Sequence, residues 1–287
     1  MTKSDKTPSD LDIRPRDMAF GREAPSGRWW LGGDPVATAF YNALSVTFPL
    51  GERFFMDAVR HYRHLAPTEL RNQITGFLAQ EAMHTREHLF FNKQIADHGF
   101  DVAAMELRTR DRLAFARSRP PLQQLGATVA LEHFTAILAH ALLADPRHLE
   151  GASDEAKAMW RWHAIEEVEH KAVAYDTFLL AAGGLPAWRR WTLRTMTMVA
   201  ATRLLFATVG SNIADIFTAD GINNARSWRR LFGLLWIRPG MLTQVLGAYL
   251  SYFAPGFHPW QHDDRALMRE AERGLAAGSY AMAEASA

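Results

Sequence analysis

The chain has 287 residues, of which 48% are hydrophobic and 22% charged, so its composition is that of a globular protein rather than a disordered or collagen-like one. Its 32 lysines and arginines against 31 aspartates and glutamates leave a formal net charge of +1, which argues against a nucleic-acid-binding protein. The sequence contains no cysteine, so disulfides, iron–sulfur clusters, thiolate zinc sites and cysteine nucleophiles are excluded. Any bound metal must therefore be held by histidines and carboxylates.

The N-terminal sequence MTKSDKTPSDLDIRPRD is polar and lacks the apolar run of a secretory signal, which predicts a cytoplasmic protein. Residues 239–262 form the longest uncharged stretch, but glycines and prolines interrupt it repeatedly. A membrane-spanning helix needs about 20 predominantly apolar residues. The sequence therefore predicts no transmembrane segment.

Helical periodicity runs through most of the sequence from Asp34 onward. Asp34 and Pro35 form a helix start signal, and Gly99 is a typical helix stop. The predicted helices cover residues 34–65 with a kink at 49–51, 67–99, 101–117, 120–144, 153–182, 186–219, 226–237 and 241–253. The sequence shows no strand-like alternation and no repeat of about 20 to 50 residues, so we predict an all-α protein.

Polar residues interrupt the apolar stripe of four predicted helices, in each case near its centre. Core residues of a bundled helix recur at alternating steps of three and four. The carboxylate and imidazole side chains selected by that spacing are Glu52, Glu81, His84, His88, Glu132, His163, Glu167 and His170. Charged side chains are rarely buried at such positions unless they are paired.

Ionised carboxylates at these positions need a counter-charge. Burying one without a partner costs several kcal/mol, and a domain stable by about 5 to 15 kcal/mol does not tolerate four of them. Two divalent cations would neutralise four glutamates, whereas one would not. The motifs Glu81-x-x-His84 and Glu167-x-x-His170 each place a carboxylate and an imidazole on one helix face, which indicates metal binding. The alternative is a metal-free, hydrogen-bonded network of the same residues.

Five segments carry a resemblance to known proteins. They are GERFF around Glu52, QEAMHTREH from Gln80, LEHFTA from Leu131, WHAIEEVEHKAVAYD from Trp162 and APGFHPW from Ala254. On these segments the chain resembles the ferritin-like superfamily of di-iron carboxylate proteins and, within it, a bacterial family labelled "predicted metal-dependent hydrolase". The resemblance covers nearly all of the chain after about Asp12.

The resemblance implies a ferritin-like four-helix bundle with additional C-terminal helices. It also implies a cofactor of two iron ions, with manganese or a mixed iron–manganese pair as variants. His163 resembles the extra histidine of the di-iron arylamine N-oxygenases of the same superfamily. The implied metal ligands are Glu52, Glu81, His84, Glu132, His163, Glu167 and His170, and the four glutamates are the implied catalytic residues.

Several roles stay open at the level of sequence. His163 is either a ligand or a hydrogen-bond donor to one. Glu166 faces nearly the same way as Glu167, and only the Glu-x-x-His spacing favours the latter. His88, one turn beyond His84, is better suited to orienting a ligand than to binding metal. The remaining acidic neighbours, which either orient the imidazoles or are solvated, are Glu87, Glu169 and Asp176.

The resemblance to the oxygenase branch implies a dioxygen-dependent oxidation (hydroxylation, desaturation or N-oxygenation). The apolar and aromatic last third predicts an apolar or acyl-type small molecule as substrate, and an external protein supplies electrons. One alternative is a hydrolase that generates hydroxide at the same two metals, as the family label says. A second is non-catalytic iron binding or storage. We expect a monomer or homodimer.

Residues 184–239 are strongly basic, with eight arginines against Asp215 and Asp220, a local excess of +6. Four tryptophans lie among the arginines: Trp188, Trp191, Trp228 and Trp236. This pattern predicts peripheral contact with an anionic membrane surface. The alternative is a solvated basic face on helices that cover the bundle.

The chain therefore divides into four predicted parts. Residues 1–32 form a mobile N-terminal segment or surface strap, and residues 33–183 form the di-metal four-helix bundle. Residues 184–262 supply basic and aromatic helices that pack on the bundle, and residues 263–287 form a C-terminal tail helix.

Overall fold

The computed structural model describes residues 6–8, 10–22 and 25–277. Within these residues the regular secondary structure is helical, and the prediction of an all-α protein is confirmed. The α-helices are α1 (Pro35–Ser45), α2 (Phe48–Tyr62), α3 (Thr68–Asp97), α4 (Val102–Arg117), α5 (Pro121–Ala144), α6 (Asp154–His170), α7 (Val173–Ala181), α8 (Ala187–Ala219), α9 (Ala225–Trp236), α10 (Met241–Ser251) and α11 (Arg265–Ala277).

Local sequence signals set several helix ends. The Asp34 carboxylate accepts from the backbone N–H groups of Val36 and Ala37 at the start of α1. The Ser153 hydroxyl does the same for Ala156 at the start of α6. Gly99 follows α3 with a φ of +87°, a conformation that glycine adopts without steric cost.

Two predicted helices are each broken in two. The first breaks at Val46 and Thr47, between α1 and α2, one turn before the predicted kink. Pro49 explains the position, because proline lacks the N–H that would bond to the Ser45 carbonyl four residues earlier. The second break separates α6 from α7 at Lys171, whose buried ammonium group donates to Asp264, 2.5 Å away.

Four helices surround the centre of the molecule. α2 packs along α3, α5 packs along α6, and α2 also contacts α5. The faces that meet in the middle are those carrying the predicted polar core residues.

The remaining long helices lie outside this group. α8 and α10 pack on α5, and α9 packs on α1. The rings of Trp228 and Phe217 are 5.3 Å apart, joining the start of α9 to the end of α8. At the opposite end, the indole N–H of Trp191 near the start of α8 donates to the Phe253 carbonyl just after α10. The α9–α10 pair therefore runs back alongside α8 in the opposite direction.

The described N-terminal residues lie on the bundle. Phe20 and Trp30 are buried, and the rings of Phe20 and Trp162 are 5.4 Å apart. The Trp30 indole N–H donates to Asn42 at 2.9 Å. Residues 6–8, 10–22 and 25–32 thus lie on the bundle as a strap, with apolar side chains buried in the core. The rest of the predicted N-terminal segment, and residues 278–287 of the predicted tail, lie outside the described residues.

Among the described helices, α5 alone is long and apolar enough to cross a membrane by itself, and 67% of its most apolar window is buried inside the protein. It is therefore placed as a core helix of the bundle. The α9–α10 pair passes the same test only when taken together, and it is bent by 54°.

Candidate metal centre

All seven residues predicted as metal ligands lie in one buried cluster between α2, α3, α5 and α6, and each is at most 5% exposed. α2 supplies Glu52, α5 supplies Glu132, α3 supplies Glu81 and His84, and α6 supplies His163, Glu167 and His170. Their role as ligands remains a prediction, but the fold brings every one of them to the same place.

The described donor atoms form four overlapping groups, two of which contain Glu52, with Glu81 and His84 or with His88 and His163. At one end, donor atoms of His84, His163 and Glu167 lie within 4.8 Å of one another. At the other end, Glu81, Glu132 and His170 meet the same condition. We therefore expect one cation position at each end, as the charge argument from the sequence predicts.

Two carboxylates link the groups. Glu81 Oε2 lies 3.8 Å from His84 Nδ1, and Glu81 Oε1 lies 3.4 Å from His170 Nε2. Glu167 Oε1 lies 3.5 Å from His84 Nδ1 and 3.1 Å from His163 Nε2, and its Oε2 lies 3.4 Å from His170 Nε2. Each of these glutamates therefore turns one oxygen to each end, which is the placement of a bridging carboxylate.

The other two glutamates close the ends. Glu132 Oε2 lies 3.6 Å from His170 Nε2. Glu52 groups with Glu81 and His84, and its Oε2 accepts a hydrogen bond from the Thr85 hydroxyl at 2.8 Å. Each of them therefore lies toward one end of the cluster.

Buried atoms without partners test whether cations fit this arrangement. Among the described residues, both oxygens of Glu81 and of Glu132, Oε1 of Glu52 and Oε2 of Glu167 have no hydrogen-bond partner. Buried polar atoms in native proteins are nearly always satisfied, so a group of unsatisfied carboxylate oxygens needs an explanation. Cations bound between them satisfy these oxygens and neutralise their charge.

The tautomer of His163 gives a second, independent test. The Ser45 hydroxyl donates its one hydrogen to Asn92 Oδ1 at 2.7 Å, so it can only accept from His88 Nδ1, which lies 2.8 Å away. His88 Nε2 therefore accepts, and His163 Nδ1, 2.7 Å away, donates to it. This leaves a lone pair on His163 Nε2 that faces a carboxylate oxygen of Glu167 at 3.1 Å. Two electron-rich atoms at that distance need a proton or a metal cation between them.

The break between α1 and α2 fixes this hydrogen-bonded chain. The Ser45 carbonyl, which has no helical partner because of Pro49, accepts from the Asn92 side-chain amide at 3.2 Å. The amide is thereby oriented with its oxygen toward the Ser45 hydroxyl. The sequence interpretation of His88 as an orienting residue agrees with these contacts, but it missed Ser45 and Asn92. The available signal for Asn92 was its position four residues after His88 on the same helix face.

The structure separates Glu166 from Glu167. Glu167 points into the cluster, whereas Glu166 Oε2 lies 3.1 Å from His84 Nε2, on the side of that ring away from the cluster. Glu166 Oε1 accepts from the backbone N–H of Arg16 at 3.0 Å. A carboxylate behind a ligating imidazole orients the ring and raises its basicity.

The remaining acidic neighbours do not orient the imidazoles and are not solvated. Glu169 pairs with Arg16 at 2.5 Å, and Glu87 pairs with Arg22 at 2.8 Å. Asp176 accepts from the Thr7 hydroxyl at 2.7 Å. All three are buried, and they attach the N-terminal strap to the bundle.

Burial dominates the electrostatics of the cluster. It raises the pKa of Glu52, Glu81 and Glu132, and adjacent carboxylates raise these values further. Burial also opposes ionisation of Glu167, yet His170, His163 and His84 lower its pKa well below the usual glutamate value. Burial and the nearby His84 lower the pKa of His163 to about 4. Without metal, burial and mutual repulsion therefore favour the protonated forms of Glu52, Glu81 and Glu132.

Fold and site together define an all-helical protein, over its described residues, with a buried glutamate and histidine cluster suited to metal ions. The chain belongs to the family described as "predicted metal-dependent hydrolase", whose model matches residues 14–263. The family description implies a metal-dependent enzyme. Neither the curated proteins nor the solved structures give a significant match. The likeness to the ferritin-like superfamily and to the arylamine N-oxygenases remains a prediction.

Adjacent variants on α6 test the ligand set. We expect the protein to bind two ferrous ions per chain, measured by elemental analysis after excess metal is removed. Glu167→Gln should bind fewer than two, because it removes the charge that both positions share. The neighbouring Glu166→Gln, equally buried, should still bind two ions with an affinity lowered by about 10- to 100-fold. If Glu166→Gln bound fewer ions than Glu167→Gln, the assignment of Glu167 as the ligand would be wrong.

Metal uptake should also release protons. The raised pKa values of Glu52, Glu81 and Glu132 mean that cations displace protons from these groups, so metal affinity should increase with pH. Titration calorimetry in two buffers of different ionisation enthalpy measures the release directly. Glu52→Gln should release fewer protons than the wild type. Uptake at neutral pH without proton release would show that the carboxylates are already ionised.

Proposed function

We propose that the protein is a di-iron carboxylate enzyme that uses dioxygen to oxidise an apolar small molecule. The observation that carries the proposal is a two-position carboxylate and imidazole cluster that adjoins an apolar cavity. Carboxylate and imidazole ligands without thiolate suit iron or manganese. When bound, two iron ions supply the electron transfer that reduces dioxygen.

The cavity lies between α2, α4, α5 and α8 and has a volume of about 480 Å³. Small-molecule sites typically enclose about 300 to 1,000 Å³, so it has room for a substrate. Its lining is almost entirely apolar, with side chains such as Phe55, Leu113, Leu131 and Leu205. A hydrocarbon chain or an aromatic group fits this chemistry, and Arg112 and Arg119, which also line the cavity, suit an acidic head group.

A smaller cavity lies between this space and the cluster and shares lining residues with the large cavity. Its volume is about 40 Å³, and it is lined by His163 and Glu167 on one side. Leu44, Phe48 and Leu138 line both cavities. The ring of Phe48 stacks on the His163 imidazole with centroids 5.0 Å apart. A substrate in the large cavity would therefore approach the cluster past Phe48.

For hydroxylation, one oxygen atom of dioxygen enters a C–H bond of the substrate and the other leaves as water. Two electrons and two protons from an external donor complete the balance. The protein's own part is to position the apolar substrate, to exclude bulk water and to keep His163 Nε2 unprotonated through His88. The apolar lining performs the first two tasks.

A metal-dependent hydrolase is the second candidate, and the family description favours it. The same two cations would activate water as hydroxide. Such an enzyme also needs hydrogen-bond donors aimed at the developing oxyanion. In the small cavity, however, the hydroxyl groups of Tyr41 and Thr135 already donate to backbone carbonyls, the unpartnered indole N–H of Trp160 is a single donor, and most of the remaining lining is apolar. The geometry therefore supports oxidation better.

Oxygen consumption separates the two candidates. We expect the reduced, ferrous-loaded protein to consume dioxygen in an oxygen electrode. Glu132→Gln should lose this activity, whereas Glu270→Gln, an exposed control on α11, should keep it. Zinc-loaded protein should be inactive toward ester and phosphodiester substrates without air. Hydrolysis by the zinc form, with no oxygen uptake by the iron form, would favour the hydrolase.

Filling the cavity tests the substrate class. Ala127 on α5 lines the large cavity, and we expect Ala127→Phe to bind dansyl-labelled undecanoic acid about tenfold more weakly than the wild type. Displacing two methylene groups from apolar surroundings costs about 1.6 kcal/mol, which gives this magnitude. Ala104→Phe, on the exposed face of α4, is the matched control. Unchanged binding by a folded, metal-loaded Ala127→Phe would show that the probe does not bind in this cavity.

A further inference from the structure

Exposed apolar side chains are concentrated on α8, α9 and α10, which we call the outer layer. They are Trp188, Trp191, Met196, Val199, Leu204, Phe206, Trp228, Phe232, Trp236, Ile237, Leu246 and Leu250. Single exposed hydrophobic residues are normal on a protein surface. A concentration on three neighbouring helices is not, and such patches usually mark a binding surface.

Contacts between the helices show that these side chains share one layer. The Thr202 hydroxyl on α8 lies 3.0 Å from the Tyr249 hydroxyl on α10. On its other side, α8 is joined to α4 by the hydrogen bond from Arg112 to Thr208. α8 therefore lies between α4 and α10, on top of α5.

The junction of α9 and α10 is the most apolar part of the layer. Ile237 is 73% exposed, Phe232 is 58% exposed, and the rings of Phe232 and Trp236 are stacked at 6.3 Å. The bend of 54° between the two helices makes the pair unsuited to a straight crossing of a bilayer. An amphipathic pair of this kind is suited to lying in the membrane interface.

Positive charge accompanies the apolar side chains. Within the described residues, the exposed arginines of the outer layer that have no acidic partner are Arg189, Arg203, Arg226, Arg229 and Arg238. Two acidic residues lie in the same stretch, and both are already paired, Asp215 with Arg108 and Asp220 with Arg28. The layer therefore presents uncompensated positive charge beside tryptophan, the combination found at the interface of anionic membranes.

We propose that the outer layer binds the surface of a bilayer that contains anionic lipids. Its apolar side chains enter the interface, and its arginines contact the phosphate headgroups. Met196 and Leu204 are exposed in this layer and also line the large cavity, whose mouth lies between α4 and α8. An apolar substrate dissolved in the bilayer would thus reach the cavity without crossing water. Only this last step depends on the proposed function.

Self-association through the same face is less suitable. A two-fold interface places the same patch of each copy against the other. The unpaired arginines of one copy would then face those of the second, with no free acidic residue in the layer to offset them. An anionic lipid surface provides that opposite charge.

Vesicle sedimentation tests the membrane proposal with the full-length, metal-loaded protein. Vesicles of phosphatidylcholine alone are compared with vesicles that also contain phosphatidylglycerol. The wild type should sediment with the anionic vesicles and be released by high salt. The double variant Phe232→Ser/Ile237→Ser should reduce the partition coefficient at least tenfold. The double variant Arg226→Glu/Arg229→Glu should do the same, because one basic residue near such a surface contributes about a factor of five. Leu65→Ser/Leu89→Ser, which changes two exposed leucines outside the layer, should bind as the wild type does.

Two outcomes would overturn the proposal. One is a wild type that stays in the supernatant with anionic vesicles at low salt. The other is a dimer in sedimentation velocity that Phe232→Ser/Ile237→Ser converts to a monomer, because the face would then bind a second copy. Circular dichroism, measured alongside, shows that each variant is folded. Vesicle binding does not involve the metal cluster, so it succeeds or fails independently of the oxidation chemistry.

Discussion

The structure depends on one electrostatic constraint, the burial of four carboxylates from four helices in a single dry interior. Arg16 pairs with Glu166 and Glu169 on the outer side of α6 rather than with the four cluster carboxylates. Protons can neutralise the cluster in the metal-free protein, and cations replace them on binding. Glu81 and Glu167 each turn one oxygen to each end of the cluster. One cation at each end would therefore satisfy all four carboxylates.

A local sequence feature connects the backbone to this chemistry. Pro49 ends helix continuity at α1, and the Ser45 carbonyl that it leaves free is bonded by Asn92. That bond orients the Asn92 amide so that its oxygen accepts a hydrogen bond from the Ser45 hydroxyl. The hydrogen-bonded chain then continues through His88 and leaves the Nε2 lone pair of His163 facing Glu167. The tautomer of His163 is therefore set by the break between α1 and α2.

Helical periodicity was enough to predict the helices and to place the seven cluster residues on inward faces, because both depend on spacing within one helix. Sequence did not decide between Glu166 and Glu167, since residues one apart on α6 both lie near the core. The choice is made by Arg16, which is 150 positions away in the chain and binds Glu166. The break at Lys171 was missed for the same reason, because its partner Asp264 is 93 positions away. Contacts of that range leave no periodic signal.

Mössbauer spectroscopy of protein loaded with isotopically enriched iron tests the central claim most directly. After oxidation, two ferric ions that share Glu81 and Glu167 should be magnetically coupled and give a single diamagnetic signal. Isolated paramagnetic ferric ions, or iron that does not bind at all, would show that the buried carboxylates do not hold a metal pair.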